Sequence, residues 1–194
     1  MDHRNKYDFK DFVEDMTDMV ERSHNDKICV LEAERLVGKL IQSHSWLPAE
    51  KRRPSDGGYS RHPLYCDPKD RFEVIALVWK PGQKTTLHDH DETWGAEGVV
   101  AGQIKVTNYI RLEELSGGKI VKLEQTDTIV VNEQNTGTLL PPADCHILEG
   151  VGDYPAITIH VYGKQLRKFR EFTPLEEEEG LYLAQEKYVE YTAV

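Results

Sequence analysis

The sequence predicts a mainly β protein: a small antiparallel sandwich or barrel preceded by an α-helical extension. Three observations support this. From Tyr59 onward, short β-rich runs follow one another at 72–79, 98–110, 120–124, 128–131 and 156–162, with no helical pattern between them. Turn-forming groups punctuate the runs, as in KPGQK, LSGGK and GVGDYP. Ahead of Tyr59 the apolar residues recur at helical spacing instead.

Taken in order, Phe9, Phe12, Val13, Met16, Met19 and Val20 fall on one helical face, with Asp8 placed to cap the first turn. A second helix is expected to start after Asn25 or Asp26 and to turn Leu31, Leu36, Val37, Leu40 and Ile41 inward. Residues 46–58 hold two prolines, a charge cluster and a Gly-Gly pair, the composition of a loop or linker. The expected division is a helical extension with linker (1–58), a β domain (59–175) and an acidic tail (176–194). In that tail four glutamates (176–179) precede LYLAQEKYVEY and read as a solvated turn or edge.

Composition narrows the function classes. The 194 residues include 34 acidic and 24 basic side chains, for a formal net charge of -10, with 39% apolar and 30% charged residues. That balance suits one globular domain and lacks the basic patch that phosphate contacts require, so no nucleic-acid partner is expected. No apolar run approaches the ~20 residues of a membrane span, and the first residues lack an apolar leader. Cys29, Cys66 and Cys145 are far apart and form no CxxC pair, which disfavours a disulfide framework or thiolate zinc site. A cytoplasmic protein with reduced cysteines is expected. Oligomeric state stays open between a monomer and a small homo-oligomer.

The chemically informative stretch is PGQKTTLHDHDETWGAEGVVAGQIKV (81–106). In an extended strand His88 and His90 point to one face, as paired ligands for a divalent first-row metal would. The order PG-x5-HxH, a tryptophan and V-x-x-G-x-I resembles the first motif of the cupin superfamily, and PPADC before His146 resembles the second. The resemblance implies a small cupin barrel (a double-stranded β-helix) with His88, His90 and His146 as metal ligands. Many cupins add a glutamate four or five residues after the second histidine, but Trp94 and Gly95 stand there. Glu92 and Glu97 lie off that spacing, and Glu92 is the better spare because it shares strand parity with the histidines. Three neutral ligands leave the ion its full charge and open positions, which favours anionic chelators and above all a thiolate.

With YSRHPLYCDP upstream and TIHVY downstream, the chain resembles thiol dioxygenases of the cysteine dioxygenase family over about residues 59–172, nearest the bacterial branch that includes 3-mercaptopropionate dioxygenases. The resemblance implies Fe(II) as cofactor, and a small thiol and O2 as substrates. It implies oxidation of the sulfur to a sulfinic acid, with L-cysteine first choice and 3-mercaptopropionate or another small thiol as alternatives. It places Arg61 as the clamp on a substrate carboxylate and Tyr59 as a hydroxyl beside it. Thr158, His160 and Tyr162 stand in place of the family's Ser-His-Tyr relay. Mercaptopropionate enzymes recruit a later arginine, for which Arg167 and Arg170 qualify. Gly95 occupies the place of the cysteine that animal enzymes crosslink to the tyrosine, so no such thioether forms here. Trp79 and Trp94 read as core and wall, and Cys145 by parity faces away from the metal. Two rivals remain: another cupin enzyme, such as a ring-cleaving dioxygenase or metal-dependent isomerase, and a metal cupin that binds a small ligand without catalysis.

Overall fold

Asp8 caps the first helix. In the computed structural model, which describes residues 7–176 and 178–192, its side chain accepts from the backbone N–H groups of Lys10 and Asp11, and Asp11 returns the bond to the Asp8 N–H. This reciprocal cap opens α1 (Phe9–Arg22), and the Asn25 side chain caps α2 (Asp26–Leu40) by accepting from the Lys27 and Ile28 N–H groups. Phe12, Met16, Met19 and Val20 of α1 are buried, as are Val30, Ala33, Leu36, Val37 and Leu40 of α2. Leu31, expected inward, is 63% exposed instead. The inward stripe runs through 29–30, 33, 36–37 and 40, and residue 31 sits on its far side.

Ten strands follow: β1 (Ser60–Cys66), β2 (Glu73–Trp79), β3 (Gly95–Ala101), β4 (Gln103–Leu115), β5 (Ile120–Asn132), β6 (Thr136–Leu139), β7 (Cys145–Val151), β8 (Ala156–Tyr162), β9 (Lys168–Pro174) and β10 (Leu181–Tyr188). They form two five-stranded antiparallel sheets, ordered β1-β2-β8-β3-β6 and β7-β4-β5-β10-β9. The expected mainly β architecture with a helical amino-terminal extension is therefore what the chain adopts. The run at 98–110 divides into β3 and β4 at Gly102, whose φ of +74° and close backbone neighbours at Ala156 require glycine.

Strands β2 and β8 are buried along their whole length because both faces are covered. Val74, Ala76, Val78, Ile157, Ile159 and Val161 meet the helices, while Ile75, Leu77, Trp79, Thr158, His160 and Tyr162 face the interior between the sheets. Gly98 permits the close helix approach: a Cβ there would come within 2.6 Å of Val37.

The second sheet's outer strands are joined by the segment before the HxH pair. His88 exchanges backbone bonds with His146 on β7, and Leu87 and Asp89 bond Phe172 and Arg170 on β9. This closure carries His88 and His90 across to the edge that presents His146. After the exposed glutamates of the expected acidic turn (176, 178 and 179), the chain supplies β10, which lies between β5 and β9. Tyr182 and Ala184 of this strand pack against the cluster around Leu87 and Phe172, while Leu183 between them is 38% exposed on the other face. Glu177 and residues 193–194 of the expected tail lie outside the described residues. Among the described residues no helix is long and apolar enough to cross a membrane.

Candidate metal centre and active site

Three histidines from two segments of the chain, the HxH pair and β7, meet between the sheets. The ligand-capable atoms of His88, His90 and His146 all lie within 4.8 Å of one another, and each residue is at most 7% exposed. Two of the rings are oriented from behind. His88 Nδ1 bonds the Thr86 carbonyl and His90 Nδ1 the Asp144 carbonyl, both at 2.9 Å. With the proton on Nδ1, each ring keeps its Nε2 lone pair for a ligand. The Nε2 atoms of His90 and His146 are buried and have no hydrogen-bond partner. Such atoms are costly unless something occupies them, and three neutral imidazoles around one point fit a divalent metal ion. Burial, joined by neighbouring positive charge, holds all three on the neutral side of an ordinary histidine.

Stability of the metal-free protein should therefore fall between about pH 7 and about pH 6. His62, His88, His90 and His146 have folded pKa values below 6.5. The unfolded chain then binds more protons than the native one as pH drops through 6.5, and unfolding gains. Asp144, raised to about 6 by its burial, opposes this, since its native form takes up a proton that the unfolded form does not. Four groups outweigh one, each contributing at most ~1.4 kcal/mol per pH unit. Thermal melts of chelator-treated protein across that interval check the sign; a flat or rising stability on acidification would contradict it.

Around the histidines, β8 supplies three aligned side chains. Thr158 Oγ1 lies 2.8 Å from His160 Nε2 and accepts from Trp79 Nε1–H at 3.0 Å. Tyr162 stacks on His90 with ring centroids 5.3 Å apart, its hydroxyl 3.5 Å from His160 Nδ1. Burial, with Glu97 second, pushes the Tyr162 phenol far above its usual range, so it is a hydrogen-bond donor.

Arg61 and Tyr59 enter from β1 and from the segment just before it. The Arg61 guanidinium lies 5.9 Å over the rings of Tyr59 and Phe169, with one nitrogen 3.5 Å from the Tyr59 hydroxyl. Its buried Nε has no partner, and no ion pair engages Arg61 among the described residues. Tyr59 in turn stacks on Trp79 at 4.5 Å.

Arg170 is brought elsewhere. It pairs with Asp89 at 2.7 Å and Glu114 at 2.9 Å on the outer side of β9, while Phe169 takes the side facing His88 at 5.7 Å. Arg167 is exposed and paired with Asp70. Alternation along β9 makes the difference, because adjacent residues point to opposite faces.

The spare carboxylate also differs from expectation. Glu92 is exposed and bound to Arg111 and Arg170, because the chain turns at Asp91 and Glu92, both at positive φ. Glu97, the less favoured of the two by strand parity, reaches the site: its Oε1 lies 2.8 Å from His160 Nδ1 and 3.8 Å from His146 Nε2. Cys145 packs on the opposite face with Leu87, Val121 and Phe172, and burial raises its thiol. Trp94, expected as a wall of the site, packs instead in the cluster that meets the helices and covers Gly163, where a Cβ would come within 2.3 Å of its indole nitrogen.

A family model described as cysteine dioxygenase type I matches residues 23–174 of this chain. Solved structures with a similar fold are distant. The TT1209 protein from Thermus thermophilus aligns with a TM-score of 0.46 and 13% identity, over 59% of this chain and 91% of its own. An oxalate oxidase in complex with glycolate aligns at 0.42 and 20% identity, over 57% of this chain and 53% of its own, so the match spans about half of that protein. A cupin superfamily protein from Desulfitobacterium hafniense aligns at 0.43 and 10% identity, over 58% and 84%.

Proposed function

Since the chain belongs to the cysteine dioxygenase type I family, we propose that it is a non-haem iron(II) thiol dioxygenase converting a small thiol carboxylate, R–SH, and O2 into the sulfinic acid R–SO2H. L-Cysteine is the substrate of choice. The observation that carries this reading is the pairing of a carboxylate-free three-histidine set with Arg61, a buried guanidinium without an acidic partner. His88, His90 and His146 would hold the iron, which when bound supplies the redox and Lewis-acid chemistry of oxygen activation and sulfur oxidation.

The chain's own residues do the rest. Arg61 can clamp the substrate carboxylate through two parallel N–H bonds, with the Tyr59 hydroxyl beside it. Held there, the carboxylate directs the thiol toward the three histidines. Tyr162, kept protonated, can donate a hydrogen bond to the substrate sulfur or to a sulfinate oxygen. Thr158 and His160 hold one another and so fix the face from which Tyr162 projects. Phe169, edge-on to His88, keeps water from the reacting end. The occupied state of Arg170 supports Arg61 as the clamp and speaks for cysteine over the mercaptopropionate arrangement.

Oxygen consumption by anaerobically iron-loaded protein, offered L-cysteine, 3-mercaptopropionate, cysteamine and mercaptosuccinate in turn, tests the reading. Uptake matched mole for mole by sulfinate with a carboxylate-bearing thiol is the expected result. Full iron loading with no uptake from any of them would leave a ligand-binding cupin as the better account.

A further inference from the structure

Strand alternation in β3 turns Gly95, Glu97 and Val99 toward the interior, while Ala96, Gly98 and Val100 meet the helices. Gly137 on β6 stands opposite Glu97, so a side chain there would share the interior face. A Cβ at this glycine meets no atom within 4 Å, and its φ is not positive. The space left open belongs to a cavity of about 200 Å³ between the sheets. Ile104, Val131, Leu139 and Leu148 wall it, and the buried His146 and His160 lie at its inner end. Ile129 and Asn135, both exposed, lie at the other. The cavity therefore leads from the surface beside β5 and β6 to the three-histidine centre.

No lysine or arginine borders this cavity among the described residues, and neither Arg61 nor Tyr59 reaches it. Those two open on a separate cavity of about 540 Å³, shared with Lys187, Tyr191 and Phe169, and Phe169 stands edge-on to His88. The centre thus has two approaches, a cationic one beside His88 and an apolar one beside His146.

We propose that the apolar cavity is a dioxygen port, a binding site for a small uncharged molecule separate from the polar mouth that leads a thiol carboxylate to Arg61. The inference rests on the thiol dioxygenase reading, which requires co-substrates of opposite character at one centre. A carboxylate passing Ile104 and Leu148 would give up its water against apolar walls and meet Glu97 with no cation to offset it. Dioxygen has no charge to desolvate. Apolar cavities of ~150 Å³ stay dry and take up xenon, which makes that gas a probe for this one.

Two variants fill the cavity from opposite sides. Gly137→Leu adds a side chain to the open space, and Val131→Phe narrows the passage from β5. Xenon-pressurised crystals of zinc-loaded protein are compared with steady-state kinetics of the iron form, oxygen and thiol being varied independently. Xenon is expected in the cavity of the wild type and absent from both variants. The KM for O2 should rise by ~10-fold or more in each, while the KM for the thiol and kcat at saturating O2 move by less than ~2-fold. An unchanged KM for O2 in variants that exclude xenon overturns the proposal. So does a thiol KM that rises in step with that for O2, which would make the cavity the thiol's own route, and so does a wild-type cavity without xenon. Xenon in the cavity with no thiol oxidised by the iron form would sink the dioxygenase reading and leave standing a site for a small uncharged ligand beside the histidines.

Discussion

Replacing His146 with alanine is expected to abolish stoichiometric iron binding and, with it, thiol-dependent oxygen uptake. The three histidines act as one unit, since each contributes a single nitrogen and no carboxylate stands within the ligand set. Loss of a residue that merely orients a ligand already costs ~10–100-fold, so loss of a ligand should lower activity by at least ~100-fold. His88→Ala and His90→Ala should behave alike. Glu92→Gln is the informative control. Glu92 is the carboxylate that strand parity with the histidines would favour, yet its side chain is 61% exposed and sits on Arg111 and Arg170. That variant should retain its iron and its rate, measured by elemental analysis and an oxygen electrode. A wild-type metal content in His146→Ala would refute the three-histidine centre.

The contrast between Glu92 and Glu97 shows where a sequence is legible and where it is not. Period-two reasoning places Thr158 with His160 and Tyr162 because they lie on one uninterrupted strand, and it places His88 with His90 although His88 is only an isolated bridge and no strand runs through the pair. The same reasoning carried on to Glu92 fails: backbone at Asp91 and Glu92 turns through positive φ, and parity restarts at Gly95. Two residues of turn exchange which acid faces the site. Nothing in the local composition announces it, since both non-glycine residues adopt a conformation that usually belongs to glycine.

Other differences arise similarly from register. Arg170 and Phe169 are neighbours in the chain, so a one-residue uncertainty in β9 decides whether a cation or an aromatic ring faces His88. The helices are readable from their caps and apolar spacing because those signals are local. Strand β10 is not, since its place between β5 and β9 depends on pairing with segments up to 63 positions away, Leu183 with Ile120 among them. Resemblance alone places Arg61 at the substrate; only its burial without an acidic partner gives a physical reason for the assignment.

That burial makes Arg61 the second position where a large effect is expected, and the effect runs in two directions. The residue is 8% exposed, its Nε is unsatisfied, and its guanidinium rests on two aromatic rings with one long contact to the Tyr59 hydroxyl. Glu73 on β2 feels the charge, but its carboxylate is already taken by the Leu166 N–H at 2.6 Å and the Tyr191 hydroxyl. A buried cation with so little compensation costs stability until an anion arrives. Arg61→Met keeps the bulk between Tyr59 and Phe169 and removes the charge. The variant should unfold at a higher temperature, by ~2–4 °C for each ~1 kcal/mol recovered in a chain of this size. Its kcat/KM for L-cysteine should nevertheless fall by ~30–150-fold, the worth of a charge-assisted carboxylate contact. Cysteamine, which has no carboxylate to lose, should be oxidised by the variant about as well as by the wild type, so the ratio of the two thiols isolates the clamp from any general damage. A fall of equal size with both thiols would mean that Arg61 serves to hold Tyr59 and Phe169 in place. A fall in melting temperature would mean that its stacking on those rings outweighs the unpaired charge.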